Sequence, residues 1–494
     1  MNLNLPARCA AVVGALAPAG LALLLAGAAM AQDAKPPVPN NGDTAWLLVC
    51  SVLVLMMSVP GLALFYGGLV RTKNMLSVLT QVMMIISLCG ITWVLYGYSL
   101  ALGASGGALN PYIGGLDKAM LAGVTSSSNA ATFSTGVVVP EFAFIVFQMT
   151  FFMITPALII GAFAERMKFS AVLLFTLLWS TFIYIPIAHW VWAIAAPDDV
   201  AAAAKAIVEA GTDAAKKAAA EAKLAEIFGS AGWLAQAGAI DFAGGTVVHI
   251  NAGIAGLVAA IVIGKRTGYG KEAMPPHSLT MTLIGASLLW VGWFGFNAGS
   301  NLEANGTAAL AVINTMIATC AAAFSWMLCE WATKGKPSLL GMVSGVIAGL
   351  VAITPACGFA SPMGALVLGL AVSPVCLLFC TSIKHALGYD DALDVFGIHC
   401  IAGILGALGT GILVNPALGG TGVFDYTIGA PGAYDMVFQM TAQVKAVLAT
   451  IVWSGIGTFV ILMVCKLVVG LRPAEEKERE GLDITEHGER AYNY

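Results

Sequence analysis

Eleven stretches of this chain are long and apolar enough to cross a membrane, and that limits its possible folds more than any other feature. A helix spanning the hydrocarbon core needs about 20 consecutive apolar residues. Such runs fall near residues 45–67, 76–102, 141–163, 170–194, 243–264, 279–299, 308–333, 339–354, 362–384, 396–415 and 437–470. In lipid every backbone N–H and C=O must be paired within the protein, which leaves helices or closed barrels. Runs of this length predict helices. Only 10% of the 494 residues are charged, where a soluble domain carries about a quarter. The mean hydropathy is +0.87. The expected fold is all-α, a polytopic membrane protein of eleven spanning helices.

The ends and loops orient it. Residues 1–31 read as a cleaved signal peptide, with Arg8, an apolar run through Leu25, and then Ala29-Met30-Ala31. A retained first helix is the alternative. The transmembrane domain would cover 32–470, and a polar tail would follow over 471–494. Basic residues crowd alternate loops: Arg71 and Lys73; Arg166 and Lys168; Lys265, Arg266 and Lys271; Lys334 and Lys336; Lys384; Lys466 and Arg472. The positive-inside rule puts these loops and the tail in the cytoplasm and the N-terminus outside, as expected in a bacterial inner (plasma) membrane. Residues 198–230 carry four lysines yet fall outside. They are rich in Ala, Lys and Glu and predict an exposed extracytoplasmic insertion, a helical hairpin or a single helix. The net charge of −4 marks no nucleic-acid partner.

Two segments repeat: "DFAGGTVVHINAGIAG" at 241–256 and "DALDVFGIHCIAGILG" at 391–406. Asp391 aligns with Asp241 and His399 with His249. The segments lie in the fifth and tenth helices, which run in opposite directions. That is the mark of a five-plus-five inverted repeat, and such repeats build sites at the bilayer midplane. Eight residues at helical rise put each imidazole about 12 Å from its aspartate, so the histidines should meet. Ionisable groups within a membrane are functional candidates; the bland alternative is an imidazole bonded to a neighbouring carbonyl. Two touching imidazoles share one N–H···N bond and resist a second proton. Such a pair suits a neutral polar molecule or a relayed proton. Asp241 is either a helix cap or an acid that favours a nearby cation. Asp391 and Asp394 have the same choice at the inner end.

Phe147, Phe151, Trp192, Trp293, Phe296 and Ser300 mark the outer part of this path. Aromatic faces attract cations, although Trp and Phe also form interfacial belts. His189 reads as structural. The ten cysteines are scattered, and Cys376 and Cys380, four apart, read as small core residues. Neither a CxxC nor a HExxH spacing occurs, so no metal or other cofactor is expected.

"PGLALFYGGLVRTKNML", "GAFAERMKF", "DFAGGTVVHINAGIAGL", "WFGFNAGS", "GKPSLLG", "TPACG", "DVFGIHCIAG" and the tail "EREGLDITEHGERAYNY" together resemble the ammonium transporters of the Amt/Mep/Rh superfamily, in its bacterial branch. The resemblance implies a homotrimer with a pore in each subunit, and not an enzyme. It implies an outer ammonium site at Trp192, Phe151 and Ser300, and a gate at Phe151 and Phe296 with Phe147 and Trp293 beside it. It makes His249 and His399 the pore pair, with Asp241 supporting recruitment and deprotonation. It makes the tail a dock for a PII-type signalling protein. Ammonium would lose a proton outside, ammonia would cross the apolar pore, and the proton would be relayed. The insertion at 198–230 is longer than the family pattern. An ammonium sensor with little flux is the alternative function, and an intramembrane metal enzyme a third, for which the sequence offers no third ligand.

Overall fold

Helices dominate the computed structural model, which describes residues 37–492; the expected signal peptide lies outside the described residues. Ten helices among them are long and apolar enough to cross a membrane. They are α1 (Asn41–Leu69), α2 (Thr72–Leu102), α3 (Glu141–Phe163), α4 (169–192), α5 (Gly245–Ile263), α6 (Leu279–Gly299), α7 (Gly306–Lys334), α9 (Pro362–Leu387), α10 (Phe396–Leu413) and α11 (Met436–Val468). The remaining expected span is α8 (Leu339–Ile353), equally apolar but shorter. Side chains of Asn40, Asn305, Ser338, Ser361 and Asp435 accept the free N–H groups that open α1, α7, α8, α9 and α11.

The packing carries the repeat that the sequence predicts. α3 lies against α1, α2 and α5; five helices on, α8 lies against α6, α7 and α10. The two halves meet where α1 runs along α6 and α5 along α10. Small residues set the spacing. A Cβ on Gly349 of α8 would sit 2.6 Å from the Ala322 side chain and 2.8 Å from the Ala318 carbonyl of α7.

Six π-helical turns interrupt the described helices, at Met57–Leu62, Trp93–Gly97, Ser180–Tyr184, Gly245–Ile250, Phe379–Ile383 and Phe396–Cys400. Those in α5 and α10 align across the repeat; α4 and α9 also carry one each, but at different depths. Both histidines stand on such turns. The helical rise from the aspartates needs correcting here. α5 begins at Gly245 and α10 at Phe396, so each imidazole is on the first turn of its helix and not two turns along it. The chain between each aspartate and its helix is non-helical because the aspartate folds back to cap the helix from outside.

The insertion is a hairpin of two helices, Pro197–Glu209 and Ala214–Gly229, the second without a buried residue. Asp198 ties it to the outer loop by accepting the Gly136 N–H at 2.7 Å. The tail is not merely solvated. Its short helices Glu475–Glu480 and Leu482–His487 lie on the loops that the charge pattern puts inside. Glu478 accepts the Thr267 N–H at 2.7 Å, Asp483 that of Ser77 at 2.8 Å, and Glu486 that of Phe169 at 3.0 Å.

Candidate functional site

Asp241 is a cap in full. Its Oδ1 accepts the N–H groups of Gly244 and Gly245 at 2.9 and 2.7 Å, and its Oδ2 those of Thr246 and Val247 at 2.8 and 3.1 Å. Four orphan donors at the start of α5 are thereby satisfied by one buried side chain. Asp391 does the same less completely for α10, accepting from Val395 at 3.1 Å and Phe396 at 2.8 Å. Burial pushes its carboxyl up to about 6, against the pull of Lys384. Asp394 is no cap; it pairs with Lys384 at 2.7 Å.

These caps bring the histidines together. His249 and His399 face each other with parallel rings, centroids 5.3 Å apart, and Nδ1 atoms at 3.2 Å. Gly253 permits the approach, since a Cβ there would lie 2.3 Å from the Cys400 backbone nitrogen. With one proton between the two Nδ1 atoms, one ring must donate and the other accept. The donor's Nε2 is then an acceptor, and the acceptor's Nε2 carries hydrogen. The pair offers one lone pair and one N–H, and exchanging them takes two proton movements, one across the Nδ1···Nδ1 bond and one from the protonated Nε2 to the other through a molecule between them. The buried Nε2 of His249 has no protein partner.

A narrow cavity runs past the pair. Met57 and Leu62 from the π turn of α1, Leu158, Ile347 and Trp293 line it with the two imidazoles. Trp293 stacks on His249 at 5.3 Å and gives its N–H away to Thr354 at 2.8 Å, so it presents an apolar face. On the other side Phe296 lies 5.9 Å from His249 and stacks on Phe151 at 4.2 Å. Phe147 and Trp192 meet Phe151 edge-on at 5.0 and 5.7 Å. The Trp192 N–H donates to the Asp241 carbonyl at 3.0 Å, tying the outermost ring to the cap. Ser300 joins through its bond to the Phe296 carbonyl at 2.8 Å, which uses its hydrogen and leaves its lone pairs open.

Trp192, Phe151, Phe296, His249 and His399 thus form one chain of ring contacts, with Phe147 and Trp293 beside it and Ser300 and Asp241 tied to it by single hydrogen bonds. Sequence reasoning missed Met57, Leu62 and Thr354. Thr354 lies in the "TPACG" motif, but nothing there announces a partner on α6. His189 is structural, its ring nitrogens facing the carbonyls of Ala101 at 2.9 Å and Asn110 at 2.6 Å. Among the described residues no three His, Cys, Asp or Glu side chains are placed to hold a metal.

At the opposite end a buried ion cluster braces the start of α10. Arg266 holds Asp390 through two bonds of 2.8 and 2.9 Å, and Arg71 holds Glu165 at 2.9 Å. Burial alone would raise Glu165, but the Arg266 and Arg71 guanidiniums outweigh it and keep the carboxyl below its ordinary value. Arg166, fully buried, donates to the carbonyls of Ala162 and Gly264 at 3.0 and 2.7 Å, and also to that of Asp390. It clamps the ends of α3 and α5 to the residue before the Asp391 cap.

Comparison with known proteins gives a concordant result. Residues 45–492 match the Ammonium Transporter Family. The chain is 45% identical to an ammonium transporter of Aquifex aeolicus, over 94% of this chain and 96% of that protein. It is 43% identical to one of Bacillus subtilis, over 91% and 98%. Among solved structures, Saccharomyces cerevisiae Mep2 superposes with a TM-score of 0.72 at 30% identity, covering 88% of this chain and 91% of that one.

Proposed function

The chain belongs to the Ammonium Transporter Family, and from that premise we propose that it recruits ammonium, removes a proton and conducts ammonia through the cavity described above. One observation carries the reading: an imidazole pair in an apolar cavity, closed on one side by a stacked phenyl pair. A bare cation pays heavily to enter such a passage. Ammonia does not, because one Nε2 can accept from it and the other donate to it. Potassium matches ammonium in charge and size but has no N–H to give, so the aromatic and hydroxyl groups before the gate sort them. The fixed charge of Asp241 favours a cation at that mouth, and the imidazole pair is the group through which the separated proton passes.

A current measurement on proteoliposomes given an ammonium pulse tests this. A transient that potassium does not evoke is expected; its absence would overturn the mechanism. In the same assay Trp192→Leu removes a cation–π contact worth about 0.5–2 kcal/mol. The half-saturating ammonium concentration should rise roughly twofold to thirtyfold. An unchanged value would return Trp192 to the interfacial belt.

The reading includes a homotrimer in the plasma membrane, with a PII-type protein docking at the face that carries the tail. The tail's bonds to Ser77 and Phe169, at the starts of α2 and α4, and to Thr267 in the loop after α5 support a shaped docking surface there. Three identical contacts would reinforce one another. A pull-down with the cognate PII protein is expected to succeed with the full chain and fail without residues 473–494. Failure with the full chain under every nucleotide condition would remove this part of the proposal.

A further inference from the structure

The turn that ends α6 holds a buried carboxylate with one oxygen unaccounted for. Glu303 lies three residues beyond Ser300 and is 7% exposed. Its Oε2 accepts from Ser134 Oγ and Asn305 Nδ2, both at 2.9 Å. Its Oε1 is buried and meets no partner at all. Buried charges are ordinarily paired, and an unmade bond to a buried polar group costs about 1–3 kcal/mol, more for a charged one.

The turn is built to keep the carboxylate there. Leu302 takes φ of 63°, in the left-handed region that a side chain disfavours. Asn301 donates to the Glu303 carbonyl at 2.9 Å and to Asn305 Oδ1 at 2.8 Å, closing the turn. A second acid reaches it from α1, where Asp43 accepts the Ala304 N–H at 2.7 Å. No cation answers these two charges among the described residues. Lys118, on an outer loop, is already committed to Glu141.

We infer that Glu303 Oε1 anchors a second cation site at the mouth of the passage, one that takes ammonium before the Trp192, Phe151 and Ser300 group. Ammonium supplies both things that Oε1 lacks, a positive charge and a directed N–H donor. An alkali cation supplies only the first. The inference rests on the transport reading, since it gives the site its substrate and its place in the sequence of steps.

Glu303→Gln in the full chain tests it by two measurements. In proteoliposomes the half-saturating ammonium concentration should rise at least about threefold, roughly 0.6 kcal/mol, with the maximal current kept. In detergent, ammonium chloride should raise the thermal unfolding temperature of the wild type above that in sodium or potassium chloride of equal strength. The glutamine variant should lose part of that difference. Unchanged half-saturation with an unchanged ammonium-specific shift would overturn the inference, as would equal stabilisation by sodium and potassium. Should the glutamine variant not fold, Glu303→Asp keeps the charge but withdraws the oxygen by one methylene, and the same two losses are expected. If the wild type carries no current the transport reading falls, while the thermal comparison still decides whether Glu303 binds ammonium.

Discussion

With leucine in place of His249, the ammonium-evoked current falls to background while the protein still folds. The substitution roughly conserves volume in a cavity whose other walls are already apolar. What it removes is half of the bonded pair. His399 loses its Nδ1 partner, and the passage loses one of the two groups that can exchange a proton with a permeating molecule. The orphaned nitrogen costs about 1–3 kcal/mol, and the added leucine surface offsets part of that, so unfolding should shift by only a few degrees. His399→Leu should behave alike, because the pair works as a unit. Paired current and thermal-unfolding measurements check both variants. Wild-type current in both would remove the proton relay, and selective loss of structure would show that the pair is a packing device.

Asp241→Ala should produce the largest loss of stability of any single change in the site. It strands four N–H groups at the buried start of α5, at about 1 kcal/mol or more each, and so costs on the order of 4 kcal/mol. Asparagine is no neutral replacement, although it too is a common helix cap. The carboxylate uses both oxygens, two donors apiece. An amide can serve only one of those pairs and turns its own N–H₂ toward the other. Asp241→Asn should therefore lose roughly half as much stability as alanine, together with transport. Calorimetry of the three proteins separates the cases. An asparagine variant as stable as the wild type would contradict the capping geometry, and full transport by it would confine Asp241 to structure.

The spans were legible because hydrocarbon thickness imposes a length and a composition that few other environments demand. The histidines were legible through symmetry, since Asp241–His249 and Asp391–His399 share one spacing in opposed helices. Their depth was misjudged for a reason no residue announces. An aspartate before an apolar run reads the same whether it opens the helix or folds back on it from a non-helical approach. Thr354 shows a second limit. Its role depends on Trp293, sixty-one positions away in the chain, and such a pairing leaves no local pattern. Glu303 was not singled out at all, because a missing partner can be seen only once the neighbours are in place.

The π turns carry a history as well as a shape. Each is an α-helix with one residue too many, so its presence is a fact about length and not about residue type. The aligned extra residues in α5 and α10 are most simply inherited from a half-size ancestor before its gene was duplicated. The turns in α1 and α2 have no counterpart in α6 and α7, so there one half has gained a residue or the other has lost one. The symmetric turns are the ones that carry the two histidines, whereas Met57 and Leu62 reach the lining from an unmatched one. The ancestral pore would have been a symmetric dimer with an identical imidazole from each copy at its centre.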